Sequence, residues 1–179
     1  MKKIIVYILM MFILTGCGSN TARTAVESYL KKYKTLSSEV LLDMERVIER
    51  ENLSNDQKEK YREILKKQYK DLTYEILEEE YDDEVSYITV KISVYNLYKA
   101  ESDATVYLEN NKNEFYDESG EYDVNKFVDY RLKKMKDTTN RIDYTIVFTV
   151  TKEKDKYEVV QPTENDLKKI HGIYNYELT

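Results

Sequence analysis

Apolar positions return every three or four residues from Val26 through Tyr29, Leu30, Tyr33, Leu36, Val40, Leu41, Met44, Val47 and Ile48. That spacing predicts one amphipathic helix running to about Glu51. Thr24 to Glu27 has the form of a capping box at its start, and Ser54 to Gln57 the form of a second one. The second box opens a helix in which Tyr61, Ile64, Leu65, Tyr69 and Leu72 share one side, with Glu63 placed to pair with Lys67. A turn this short predicts antiparallel packing of the two helices. The period then drops to two. Leu72 to Tyr81 is rich in β-formers, and Ile88, Val90, Ile92 and Val94 alternate with Tyr87, Thr89, Lys91, Ser93 and Tyr95. A strand pair turning at Asp82-Asp83-Glu84 is expected, its aliphatic face on the helices and its other face carrying tyrosine and charge.

Helical spacing resumes between residues 99 and 138, first with Ala100, Ala104, Tyr107 and Leu108, then with Val124, Phe127, Val128, Arg131, Leu132 and Met135. Between them, Asn110 to Asp123 is polar and predicted as loop. Ile142, Tyr144, Ile146, Phe148 and Val150 alternate with polar residues, the strongest strand signal in the chain. A turn at residues 153–156 leads to a returning strand, Pro162 ends it, and Thr163 to Asp166 starts a short helix that stops before Gly172. The order is ααββ, ααββ, α, with no residue correspondence between the halves. These elements predict an α+β fold, an antiparallel sheet of about four strands packed against helices.

The start of the chain has a different character. Met1-Lys2-Lys3 precedes eleven apolar residues, Ile4 to Leu14, the length of a signal-peptide core and too short to span a bilayer. The run ends in Leu14-Thr15-Gly16-Cys17, which resembles the bacterial lipobox. With this signal at one end and a strand-hairpin-helix finish from Tyr144 to His171 at the other, the chain resembles small extracytoplasmic lipoproteins of Gram-positive bacteria with an NTF2-like or cystatin-like fold. Residues 99 to 138 depart from that pattern, placing two helices where it has a short connection. The resemblance implies a signal peptide over 1–16, lipidation of Cys17 as the new N-terminus, a tether over 17–23 and a single α+β domain over 24–179. It also implies attachment to the extracytoplasmic side of the cell membrane, with the sheet curled into a cone. Several acyl chains on one residue hold durably where one does not. Gly18 to Arg23 reaches at most roughly 20 Å, so the domain is expected close to the bilayer.

Charge narrows the function classes. Losing Lys2 and Lys3 with the signal deepens the formal net charge from −6 to −8, which argues against a nucleic-acid partner. Arg23, Lys31, Lys32 and Lys34 nevertheless form a basic run just after the tether. They are the candidate membrane-facing patch, against the simpler account of a solvated helix face. The acidic hairpin, with Glu75, Glu78, Glu79, Glu80, Asp82, Asp83 and Glu84, is then expected to point away from the membrane. Its spacing lacks the ligand alternation and turn glycine of a calcium loop, and the Asp117 to Glu121 segment also fails that pattern, so no metal site is assigned.

Catalytic motifs are missing from the sequence. Cys17 is committed to lipid, and His171, the single histidine, sits near a helix end, where a cation complements the dipole. No GxSxG, HExxH or CxxC occurs, and no cofactor is expected. Tyrosine is the compositional outlier, with 17 of the 18 lying after residue 16. Tyr87, Tyr95 and Tyr144 are candidates for a sheet-side cleft that holds a ligand or partner, against the plainer reading of tyrosine replacing phenylalanine at half-buried positions. Three classes follow: a membrane-tethered, non-catalytic binding or interaction module; a pocket protein or isomerase/dehydratase-type enzyme of the NTF2-like superfamily; and a structural or assembly lipoprotein of the envelope.

Overall fold

A computed structural model describes residues 20–82 and 84–178. The signal segment, Leu14, Thr15, Gly16 and Cys17 lie outside the described residues. Along the chain come α1 (Ala22–Lys34), α2 (Ser38–Glu49), α3 (Asn55–Lys70), β1 (Thr73–Tyr81), β2 (Val85–Tyr95), α4 (Leu97–Asn110), α5 (Val124–Asp137), β3 (Arg141–Glu153), β4 (Lys156–Val159) and α6 (Glu164–His171). The architecture is α+β. Its antiparallel sheet has the order β1-β2-β3-β4, with the α4–α5 hairpin inserted between the two central strands.

The single long first helix is not what forms. Leu36 adopts a left-handed φ of 52°, and the Leu36 and Ser37 N–H groups bond back to the Tyr33 and Lys32 carbonyls at 3.0 Å each. This Schellman arrangement ends α1, and Ser37 then caps α2 through the Val40 N–H. The run Thr35-Leu36-Ser37-Ser38 explains the break, because hydroxyl side chains offer the backbone alternative partners; Thr35 Oγ1 donates to the Lys31 carbonyl at 2.9 Å. The first cap also shifts. Thr21, not Thr24, is the N-cap, and the two residues exchange side chain-to-backbone bonds at 3.0 and 3.2 Å. Ser54 and Gln57 form the expected reciprocal box. Glu63 pairs with Lys66 at 2.8 Å instead of Lys67, whose ammonium lies over the Tyr95 ring.

The aliphatic alternation does what its period requires. Ile88, Val90, Ile92 and Val94 oppose Phe148, Ile146, Tyr144 and Ile142, and this face lies against Val26, Leu30 and Tyr33 of α1. The α3 side chains Leu65 and Tyr69 complete the middle layer, and Leu132 and Met135 attach the α4–α5 hairpin to it. Arg131 ties that hairpin down through Glu101 at 2.6 Å and Glu51 at 3.0 Å. The segment expected as plain loop holds a 3₁₀ turn at Lys112–Phe115 and a Tyr116–Tyr122 bridge. Asp117 closes it by accepting the Ser119 and Glu121 N–H groups at 2.9 Å each.

Two joints anchor the C-terminal segment. The buried Gln68 amide accepts the Tyr95 N–H at 2.9 Å and donates to the Tyr95 carbonyl at 3.2 Å, finishing β2 where no strand continues the ladder. Gly172, left-handed at φ 74°, ends α6 against that joint, and its carbonyl accepts the Tyr98 N–H at 2.9 Å. No helix among the described residues is long and apolar enough to cross a membrane.

Candidate functional site

The tyrosines singled out in the sequence do not converge. Tyr87, 41% exposed, and Tyr95 lie on the open face of β2, eight residues apart, which is about 27 Å along a strand. Tyr95 is engaged locally, its hydroxyl donating to Asp71 at 2.9 Å and its ring flanked by Lys67 and Arg141. Tyr144 opposes Ile92, so it belongs to the core face, edge-on to Tyr174. The sheet therefore separates it from the other two, because neighbouring outward and inward positions alternate with a period of two. Its hydroxyl is buried without a partner among the described residues, and burial pushes its pKa up to about 12. Tyr144→Phe is expected to leave stability unchanged or raise it by up to about 1 kcal/mol, read from the urea midpoint. A loss above that size means the hydroxyl has a partner.

The basic run is dispersed too. Arg23 is held by Glu27 at 3.1 Å and by Glu79 of β1 at 2.6 Å. A β-bulge at Leu77 makes this contact, shifting the register from Ile76↔Val90 to Glu78↔Thr89 and bringing Glu79 opposite Ile88 on the helix side. Glu79 of the acidic strand thus lies beside the start of α1. Lys31, Lys32 and Lys34 occupy the last turn of α1, about 12–16 Å from Arg23, where they complement the helix dipole; Lys32 also meets Glu39 at 2.7 Å.

A different site forms between α2 and α6. Val47 from one helix, Leu167 from the other and Ile173 beyond it wall a cavity of about 310 Å³, with Asp43, Arg46, Arg50, Glu164 and Lys168 around them. On α2, Asp43, Val47 and Arg50 follow one another at helical spacing and so face the same way; on α6, Leu167 and His171 are four apart. His171 forms part of the wall and is only 3% exposed. Its Nδ1 is hydrogen-bonded to the Tyr69 hydroxyl at 2.9 Å. Tyr69 in turn packs edge-on with Tyr33, which shares a hydrogen bond with Tyr29 at 3.3 Å. Burial raises the pKa of all three phenols.

Burial, reinforced by the nearby Arg50 charge, lowers the His171 pKa to about 4. The ring is therefore neutral at physiological pH. It cannot be the helix-end cation that its position in the sequence suggests. The surrounding carboxylates are paired: Asp43 with Arg46 at 2.7 Å, Glu164 with Lys168 at 3.2 Å and Glu51 with Arg131 at 3.0 Å. No serine, threonine or cysteine lines the cavity among the described residues. The lining thus combines the apolar side chains Val47, Leu167 and Ile173 with paired charges and an oriented imidazole.

Sequence reasoning placed Val47 in a core stripe and missed the cavity. The four-residue spacing of Leu167 and His171 was the one available signal, and it does not say which surface they face. Family models, curated proteins and solved structures were all searched, and none matches this chain.

Proposed function

We propose that the chain is a lipid-anchored extracytoplasmic module that binds a small molecule non-catalytically in the α2–α6 cavity. The observation that carries the reading is His171, buried, neutral and oriented by Tyr69 beside the apolar side chains Val47, Leu167 and Ile173 of the cavity. Attachment to the membrane rests on the Leu14-Thr15-Gly16-Cys17 signal and on the short stretch before α1. Cys17→Ala is expected to move the protein from the membrane pellet to the soluble fraction at high salt; persistent sedimentation rejects the lipid anchor.

A second reading, an envelope assembly lipoprotein, draws on the open face of the sheet. There Tyr87 and Val147 are exposed, and Val160 is exposed beside Thr149. Photo-crosslinkers at Leu167 and at Val147, activated in native membranes, separate the two. A small-molecule adduct at Leu167 supports the cavity, whereas a reproducible protein adduct at Val147 alone supports assembly.

A further inference from the structure

We infer that the α2–α6 cavity selects a compact apolar carboxylate, gripped by Arg50 and His171. This rests on the binding role proposed above and deepens it. With the Tyr69 phenol as donor, Nδ1 of His171 accepts and Nε2 carries the proton. The hydrogen bond to Tyr69 is made by Nδ1 and leaves Nε2 free of it. In that tautomer Nε2 is a donor at a lining whose apolar part is Val47, Leu167 and Ile173.

Arg50 is the loosely paired cation of the site. Its closest carboxylate, Glu164, is 3.6 Å away, too long for a hydrogen bond, and Glu164 also meets Lys168 at 3.2 Å. By contrast, Arg46 is held by Asp43 at 2.7 Å. Arg50 and His171 both line the cavity, so guanidinium and imidazole border the same space. Two donors lining one cavity, one a planar cation, match the two oxygens of a carboxylate, and guanidinium–carboxylate pairs take a bidentate geometry. A cavity of about 310 Å³ is at the small end of ligand sites, which limits the apolar body to roughly the size of one ring.

The test uses the full chain in lipid bicelles with ¹⁵N-labelled histidine. Because His171 is the only histidine, its two ring nitrogens report on the cavity alone. Cyclohexanecarboxylate, cyclohexylmethanol and cyclohexylmethylamine are titrated in parallel. The carboxylate is expected to shift the ring signals saturably, at least about tenfold more tightly than the alcohol or the amine. Arg50→Gln, at a side chain already largely in solvent, is expected to reduce the carboxylate to the affinity of the alcohol while the unliganded spectrum stays native. Equal binding of alcohol and carboxylate, tighter binding of the amine, or an Arg50→Gln variant that keeps the preference overturns the carboxylate assignment and leaves the cavity a binding site. If no probe moves the signals in the millimolar range, both the assignment and the small-molecule role fail.

Discussion

Gly172→Ala is expected to destabilise the fold by about 3–5 kcal/mol. Two costs combine. The residue sits at φ 74°, a left-handed conformation that costs a non-glycine residue about 1 kcal/mol or more. The added Cβ would also lie 2.2 Å from Gln68 Nε2 and 2.3 Å from the Tyr95 carbonyl oxygen. It would enter the one place where the buried Gln68 amide satisfies both backbone groups of Tyr95, and losing those bonds strands buried polar atoms. Gly120 is the internal control, with φ 82° and open space where its Cβ would stand. Gly120→Ala should therefore cost only about 1 kcal/mol. Urea denaturation of both variants checks the pair, and equal midpoints would mean that the Gln68–Tyr95 joint is dispensable.

Acid is expected to weaken the protein through His171 alone by about 3 kcal/mol, the difference between an ordinary imidazole near 6.5 and a folded one near 4. Above pH 6.5 the ring is neutral in both the folded and the unfolded chain, and its stabilising contribution is complete. Between 6.5 and about 4 the unfolded chain binds a proton that the folded chain refuses, so stability falls as pH falls. Below about 4 both states are protonated and the loss levels off. Carboxylates titrate over part of this window, so the measurement is the difference between wild type and His171→Gln, in which they cancel. The wild type should lose more stability between pH 7 and pH 4 than the variant does. A ring signal that titrates near 6.5 in the folded protein would defeat the expectation, since it would mean that water reaches the imidazole freely.

How far residues alone foretold this molecule varies from element to element. Ile88, Val90, Ile92 and Val94 were legible because a strand's side chains alternate whatever it packs on, and the Ser54–Gln57 cap because its partners are three residues apart. The break at Leu36 was not, because the apolar stripe runs through it; what decides is a Schellman turn at a leucine, a conformation that residue type disfavours. The Leu77 bulge was hidden for a similar reason. Its consequence, the Arg23–Glu79 contact, joins residues 56 positions apart.

The candidate site shows the same division. Tyr87, Tyr95 and Tyr144 were grouped by chemistry, yet register assigns the last to the opposite face of the sheet. His171 was judged by its place near a helix end, whereas its neutral state comes from burial that no local pattern records and from the Arg50 charge, and its orientation from Tyr69, 102 residues away. Local periodicity, caps and turn residues by themselves determined the α+β class, the two hairpins and the helix ends made by short-range hydrogen bonds, because those interactions reach only a few residues, whereas the central β2–β3 pairing joins residues as far apart as Val85 and Thr151. Only the tertiary structure decided which side of α6 is buried, which charges meet and that a cavity opens between α2 and α6. Desolvation and long-range contact set those outcomes, and both depend on what packs alongside.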